Sequence, residues 1–260
     1  MTAPEGFGET ADRAVGLRID MRNPARARCI MSRTLIAVAF VLFTSACSRQ
    51  DDSRHVTPKT DTTPAATPPA SLEMGRAKSV TTFFITSHGP GRGGDLGGLA
   101  GADAHCQSLA KAEGSDDHTW RAYLSTQATS TTPAVNARDR IGAGPWYNAL
   151  GDRIATNLRE LHDGRNMIDA ENAVTERGDT VSADRHAILT GSRPDGTAYP
   201  PTEDLTCHNG TSSGGGAARV GHHDGKTPTD WNSAESTRGC SQRNFETAGG
   251  EGLFYCFAID

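Results

Sequence analysis

The chain has 260 residues, a length that fits one domain with extensions, and 29 of them are glycine, which indicates a loop-rich fold. Only 35% of the residues are apolar, below the roughly 45–50% of an ordinary globular protein. From Val80 onward, 15 Lys and Arg stand against 23 Asp and Glu, a net charge of −8. Binding to nucleic acids or sulfated polysaccharides depends on a basic surface, so this charge argues against both as partners.

Residues 31–47, MSRTLIAVAFVLFTSAC, have the layout of a secretory signal. Arg33 supplies a positive charge, an apolar run extends from Leu35 to Phe43, and small residues precede Cys47. The apolar run is too short to span a bilayer. Small residues ending on a cysteine resemble the lipobox of bacterial lipoproteins, which implies that Cys47 is lipidated and anchors the protein to a membrane. A plain cleavable signal and a buried helix are the alternatives.

The segments around this signal lack the features of a folded domain. Residues 1–30 contain the Arg-rich stretch RNPARARC, which either a true start at Met31 in place of Met1 or a long n-region explains. Residues 48–78 are rich in Thr, Pro and charged residues, so they are predicted to form a disordered tether. The predicted location is the outer membrane or cell surface, or the periplasm or medium.

Four cysteines remain in the predicted domain: Cys106, Cys207, Cys240 and Cys256. An even number in an exported domain predicts two disulfides. Four cysteines allow three pairings, and their spacing does not choose among them.

One α+β domain, residues 79–260, is predicted to follow the tether, with one prominent early helix and many short strands. VTTFFITS, residues 80–87, predicts an opening strand. GADAHCQSLAKAEG then has apolar residues at helical spacing and places Cys106 on the inner face of a helix. TWRAYLST, residues 119–126, predicts a buried strand with Trp120 as a core residue.

The second half of the domain is less regular. Residues 134–149 predict a short helical turn followed by a Pro-Trp corner, and residues 157–179 show no clear period. AILTGSRPDG, residues 187–196, predicts a strand that ends in a turn at Asp-Gly. Residues 206–225 read as a flexible glycine tract, and EGLFYCFAI, residues 251–259, predicts a last strand with a dense apolar face.

Motifs for common enzyme chemistries are missing from the sequence. It contains no G-x-S-x-G, no P-loop, no H-E-x-x-H and no C-x-x-C. His222, His223 and Asp224 are ligand types that zinc accepts, but adjacent residues seldom both reach one metal and a third ligand would have to come from elsewhere. These three residues are therefore predicted to make hydrogen bonds in a loop, and no catalytic, cofactor-binding or metal residue is assigned.

The order of these features resembles the C-type-lectin-like fold, which implies a single α+β domain with short antiparallel strands. The features are a cysteine on the first helix, the strand WRAYLST, a cysteine after a turn, a Trp-Asn pair followed by a cysteine, and a last aromatic strand ending near a cysteine. The resemblance implies that the first cysteine pairs with the last and that the middle two pair with each other. Cys106 would then bond Cys256, and Cys207 would bond Cys240.

The chain is more closely similar to the endostatin domain, and to a group of bacterial exported lipoproteins of that type. GGLAGADAHCQSLAKAEG, WRAYLST, AVNARDRIGAGPW and LTGSRPDG carry the resemblance, which covers about residues 82–259. The opening strand lacks the zinc-binding histidines of endostatin. Gly97 and Ala100 stand where endostatin has heparin-binding arginines, so heparin is not an expected partner. Glu-Pro-Asn does not occur, and Ser233 replaces the Asp of the calcium motif Trp-Asn-Asp, so no cofactor is expected.

The function that these features favour is a non-catalytic binding module for a glycan or protein at the cell envelope or outside. The candidate ligand-binding residues are Asp230, Trp231, Asn232, His222, His223 and Asp224. Trp231 is more simply read as a core residue beside the Cys240 disulfide, which leaves Asp230 and Asn232 at the loop surface. The alternatives are an envelope-polymer hydrolase that uses His222 and Asp224, and a purely structural envelope protein.

Overall fold

The computed structural model describes residues 77–227 and 229–260, all within one compact unit. The predicted N-terminal extension, the signal at residues 31–47, Cys47 and the tether up to residue 76 lie outside the described residues.

The described residues form a mixed domain of four helices and eight short strands, whose pairings are antiparallel, as expected, except for one parallel pair that the prediction of antiparallel strands missed. The strands are β1 (Phe83–Ile85), β2 (Trp120–Ala122), β3 (Trp146–Tyr147), β4 (Arg153–Ala155), β5 (Ala187–Leu189), β6 (Arg219–His222), β7 (Glu235–Ser236) and β8 (Gly250–Ala258). The helices are α1 (Gly98–Ala112), α2 (Leu158–His162), α3 (Cys207–Gly210) and α4 (Gln242–Thr247). Two 3₁₀-helical turns complete the set, at Ala137–Asp139 and Ala183–Arg185.

The last strand, β8, organises the main sheet. Cys256 pairs with Phe84 of β1 and with Ala122 of β2, so these two antiparallel strands occupy opposite edges of β8. The first half of β8 pairs in parallel with β5, and the sheet continues from β5 through β6 to β7. β3 and β4 form a separate two-stranded sheet. This order brings β5, β6 and β7 side by side, although 29 residues of chain lie between β5 and β6 and 12 between β6 and β7.

Alternate residues of β8 point into two separate cores. Phe254 and Cys256 belong to the first core, with Trp120 and Phe245, whereas Tyr255 and Phe257 belong to the second core. This is the two-residue period of a strand that is buried on both faces. The dense apolar run predicted for the last strand is explained by this double burial.

Two disulfides join the elements that lie far apart in sequence. Cys106 of α1 is bonded to Cys256 of β8, and Cys207 of α3 is bonded to Cys240, ahead of α4. The pairing implied by the C-type-lectin-like resemblance is confirmed. Two disulfides indicate a non-reducing environment outside the cytoplasm. In the described part of the chain, no helix has both the length and the apolar character needed to cross a bilayer.

A buried carboxylate, Asp103, ties α1 to the main sheet. It accepts hydrogen bonds from Arg140 Nη2 at 2.7 and 2.9 Å, from Arg121 Nη1 at 2.7 Å and from the backbone N–H of Ala122 at 2.9 Å. Arg140 also donates to the Ala122 carbonyl. Ala122 belongs to β2, and Arg140 directly follows the 3₁₀-helical turn Ala137–Asp139. Because both residues donate to Asp103, this side chain fixes how α1 lies against β2.

Six helices and strands of the described chain were not predicted, namely β4, α2, α3, β6, β7 and α4, and for three of them the reason is local. α2 and α4 have only five and six residues, too few to show a helical period, and they begin at the side-chain caps Asn157 and Ser241. β6 lies inside the stretch read as a flexible glycine tract. Gly221 of β6 is required there, because a Cβ atom would lie 1.8 Å from the Trp231 carbonyl oxygen.

Candidate functional site

All six predicted ligand-binding residues lie at the base of one loop, which leaves β6 at His222 and returns at Asn232. The His222 N–H donates to the Asp230 carbonyl at 2.7 Å and closes the loop. The Asp230 carboxylate accepts from the Lys226 and Thr227 N–H groups at 3.1 and 3.0 Å, and from the Thr227 hydroxyl. The Thr227 hydroxyl bond lowers the pKa of Asp230. Asp230 therefore holds the loop in shape.

Trp231 points into the protein, which agrees with the prediction that it is a core residue. It is 2% exposed, and its ring centroid lies 4.8 Å from that of Tyr123 and 5.5 Å from that of Tyr255. These contacts belong to the second core, whereas Cys240 belongs to the first. The predicted position beside the Cys240 disulfide is therefore wrong.

Asn232 is fully buried, so the prediction that it lies at the loop surface is wrong. Its Nδ2 donates to the Tyr123 hydroxyl at 2.9 Å and to the Arg193 and Pro194 carbonyls at 3.2 Å each. These carbonyls come from the turn after β5, which the sequence does not place near the loop. These partners satisfy the amide nitrogen, whereas Asn232 Oδ1 is buried without a hydrogen-bond partner among the described residues.

A directional hydrogen-bond chain continues from Asn232 through Tyr123 to His162. His162 Nδ1 lies 2.8 Å from the Leu158 carbonyl and must donate to it, and burial lowers the pKa of His162, so the ring is neutral. His162 Nε2 then accepts from the Tyr123 hydroxyl at 2.8 Å, and burial raises the Tyr123 pKa well above its usual range. Gly196 (φ 79°) covers this bond, since a Cβ there would lie 2.4 Å from His162 Nε2. The chain connects the base of the loop to α2.

His223 is also buried, at 1% exposure, and neither ring nitrogen makes a hydrogen bond within the described residues. Burial lowers its pKa, and the Asp224 carboxylate and a nearby Ser182 backbone group oppose the shift only in part. The Ser182 group does not reach hydrogen-bond geometry with the ring. His223 is therefore an enclosed imidazole whose burial favours the neutral form, and the prediction that it makes side-chain hydrogen bonds is wrong. His222 and Asp224 are partly exposed.

His222 and Asp224 lie next to two residues that were not predicted as site residues, His186 and Glu235. The ring centroids of His186 and His222 are 4.5 Å apart. His186 Nδ1 lies 3.9 Å from Asp224 Oδ2, and His222 Nε2 lies 3.5 Å from Glu235 Oε1, without hydrogen-bond geometry. We call these four residues the histidine cluster. Among residues 77–227 and 229–260, no three His, Cys, Asp or Glu side chains are arranged to hold a metal ion.

An open polar cavity of about 460 Å³ adjoins the histidine cluster, between the β7 segment and α4. Its walls are formed by His186, Glu235, Ser236, Thr237, Arg238, Asn244, Thr247, Ala248 and Gly249. A smaller cavity of about 190 Å³ lies on the other side of His222, with Trp231 in its wall. An apolar pocket near Leu96 and Leu124 encloses only about 20 Å³, room for about one water. The cavity beside the histidine cluster, which we call the polar cavity, is the candidate binding site.

Acidification is expected to destabilise the domain between about pH 6.5 and pH 5. His162 and His223 have lowered pKa values in the folded protein, so the unfolded chain takes up protons first as the pH falls through about 6.5. The unfolding free energy then drops by up to about 1.4 kcal/mol per pH unit for each histidine. Melting temperatures at pH 7.5 and 5.0 measure the loss. His223→Gln should reduce this fall in melting temperature, whereas the control His208→Gln, at an exposed site, should not. Equal falls in the two variants would contradict the role given to His223.

Comparison with known proteins leaves the function to be argued from this geometry. No protein-family model matches the chain, and no curated protein matches its sequence.

Proposed function

We propose that the protein is an exported, lipid-anchored binding module that recognises a glycan at the cell envelope or outside the cell, without catalysis. The lipid would be attached to Cys47, which lies outside the described residues. The two disulfides agree with export.

The proposed fold is C-type-lectin-like, of the endostatin type. Its support is the first-to-last and middle-to-middle disulfide pairing, together with a central last strand, β8, that receives both β1 and β2. Fold alone does not imply function, so the proposal rests on the site.

The polar cavity is the observation that carries the glycan proposal. Glu235 offers a carboxylate, Asn244 an amide, and Ser236 and Thr247 offer hydroxyls, which together can accept from and donate to sugar hydroxyls. A protein partner is less well supported, because interface cores are rich in aromatic and apolar side chains. In the part of the chain described, the large apolar side chains that are exposed are only Val80, Leu150 and Met167.

The carboxylates of the polar cavity favour binding over hydrolysis. A glycosidase commonly uses a pair of Asp or Glu residues that flank the scissile bond. The lining of the polar cavity contains one carboxylate, Glu235. The cavity thus offers hydrogen-bonding groups without the carboxylate pair of a glycosidase.

A glycan and envelope-polymer binding screen on the purified protein tests this function. We expect binding that survives EDTA, because no metal ligand set is present among the described residues. Glu235→Ala should weaken binding, whereas Glu246→Ala, an exposed change on α4 away from the cavity, should not. Binding to no glycan, or binding only to proteins, would overturn the proposal.

A further inference from the structure

We infer that the polar cavity is selective for a carboxylated sugar, with Arg238 binding the carboxylate; this rests on the glycan-binding function proposed above. Arg238 lines the cavity and is exposed. It makes neither an ion pair nor a side-chain hydrogen bond with the described residues, although Glu235 lines the same cavity. Its guanidinium therefore keeps its donors free, and a planar carboxylate can accept two of them at once.

The other groups of the cavity suit the hydroxyls of the same ligand. Asn244 Oδ1 is occupied by the helix cap, since it accepts from the Ser241 backbone N–H at 3.3 Å and from the Ser241 hydroxyl at 2.5 Å. Asn244 Nδ2 makes no hydrogen bond within the described residues and is left to donate to a ligand hydroxyl. Glu235 lies beside His222 at 3.5 Å, and its second oxygen can accept from another hydroxyl.

The charge of the domain limits the size of the ligand. The polar cavity contributes one arginine, and the domain from residue 80 onward carries a net charge of −8. A long polyanion needs many basic contacts and would be repelled elsewhere on the surface. The ligand class that fits is a uronic acid or another sugar acid with a single carboxylate, as a free sugar or at one end of a chain.

Titrations with glucuronate and galacturonate, and with the neutral sugars glucose and galactose, test this inference on the full chain. We expect the acids to bind more tightly than the neutral sugars, and Arg238→Gln to weaken the acids by about tenfold or more, as the loss of a charge-assisted bond predicts. Arg243→Gln is the matched control, because Arg243 is an exposed arginine of α4 outside the cavity. Unchanged melting temperatures exclude misfolding as the cause.

The outcomes separate this inference from the function on which it rests. If neutral sugars bind as well as acids, or if Arg238→Gln binds the acids as tightly as Arg243→Gln does, the ligand class is wrong and the glycan-binding function stands. If no sugar in the titrations or the glycan screen binds to the unaltered protein, both fail.

Discussion

Replacing Cys106 and Cys256 together with alanine is expected to lower the unfolding free energy by about 5 kcal/mol, because the bond closes a very long loop in the unfolded chain. The two cysteines are 150 residues apart in sequence. For a chain of this size, about 1 kcal/mol moves the melting temperature by roughly 2–4 °C, so a fall of about 10–20 °C is expected by calorimetry. Both sulfurs are fully buried, and alanine avoids placing an unpaired hydroxyl in the first core.

The second disulfide provides the internal comparison. Cys207 and Cys240 are 33 residues apart, and the same loop-closure relation gives about 4 kcal/mol for their replacement by alanine. Both variants remove two buried sulfurs from the same core, so their losses of unfolding free energy can be compared directly. The larger loss is expected from the Cys106/Cys256 variant. A larger loss from Cys207→Ala/Cys240→Ala would contradict the view that Cys106–Cys256 is the main covalent brace.

The parts of the fold that could be predicted are those whose signal is carried by neighbouring residues. α1 shows a helical period over fifteen residues, and β8 contains an unbroken apolar run from Leu253 to Ala258. The helix α1 buries one face and the strand β8 buries both, and each kind of burial leaves its own pattern of apolar residues in the sequence. The short α2 and α4 depend instead on single caps and on packing against distant residues, and a local pattern does not contain that information.

The candidate site could be predicted only in part, for a related reason. The sequence pointed to the loop next to the polar cavity, because two histidines and a carboxylate stand together there, but none of the six predicted residues lines that cavity. His186 precedes β5 and Glu235 lies in β7, and both reach His222 because the sheet order places β6 between those strands. The burial of Asn232 could not be predicted either, since its partners lie in the turn after β5 and in β2's extension at Tyr123.

Asp103→Asn is expected to lower the unfolding free energy by about 3–5 kcal/mol, the usual cost of leaving one partner of a buried ion pair uncompensated. Asparagine keeps the shape and one acceptor but removes the charge. The Arg140 side chain, only 10% exposed, would then lie against a neutral group, whereas Arg121 at 43% exposure can turn to water. The midpoint of urea unfolding measures the change. Asp163→Asn is the matched control, because its pair with Arg165 lies at the surface, and no measurable shift is expected there.

A double variant distinguishes the loss of the charge pair from the loss of the Ala122 hydrogen bond. Asp103→Asn/Arg140→Met removes both charges and keeps the amide oxygen as an acceptor for the Ala122 N–H, so it should recover part of the stability lost in Asp103→Asn if the unpaired guanidinium causes the loss. No recovery would assign the effect to the bond between Asp103 and the Ala122 N–H, which fixes β2. That bond also reaches the site, because β2 leads directly to Tyr123, whose hydroxyl accepts from Asn232. If the weakened Ala122 bond causes the loss of stability, Asp103→Asn should weaken glycan binding as well. If the unpaired Arg140 guanidinium causes it, the protein that remains folded should bind glycan as tightly as the unaltered protein.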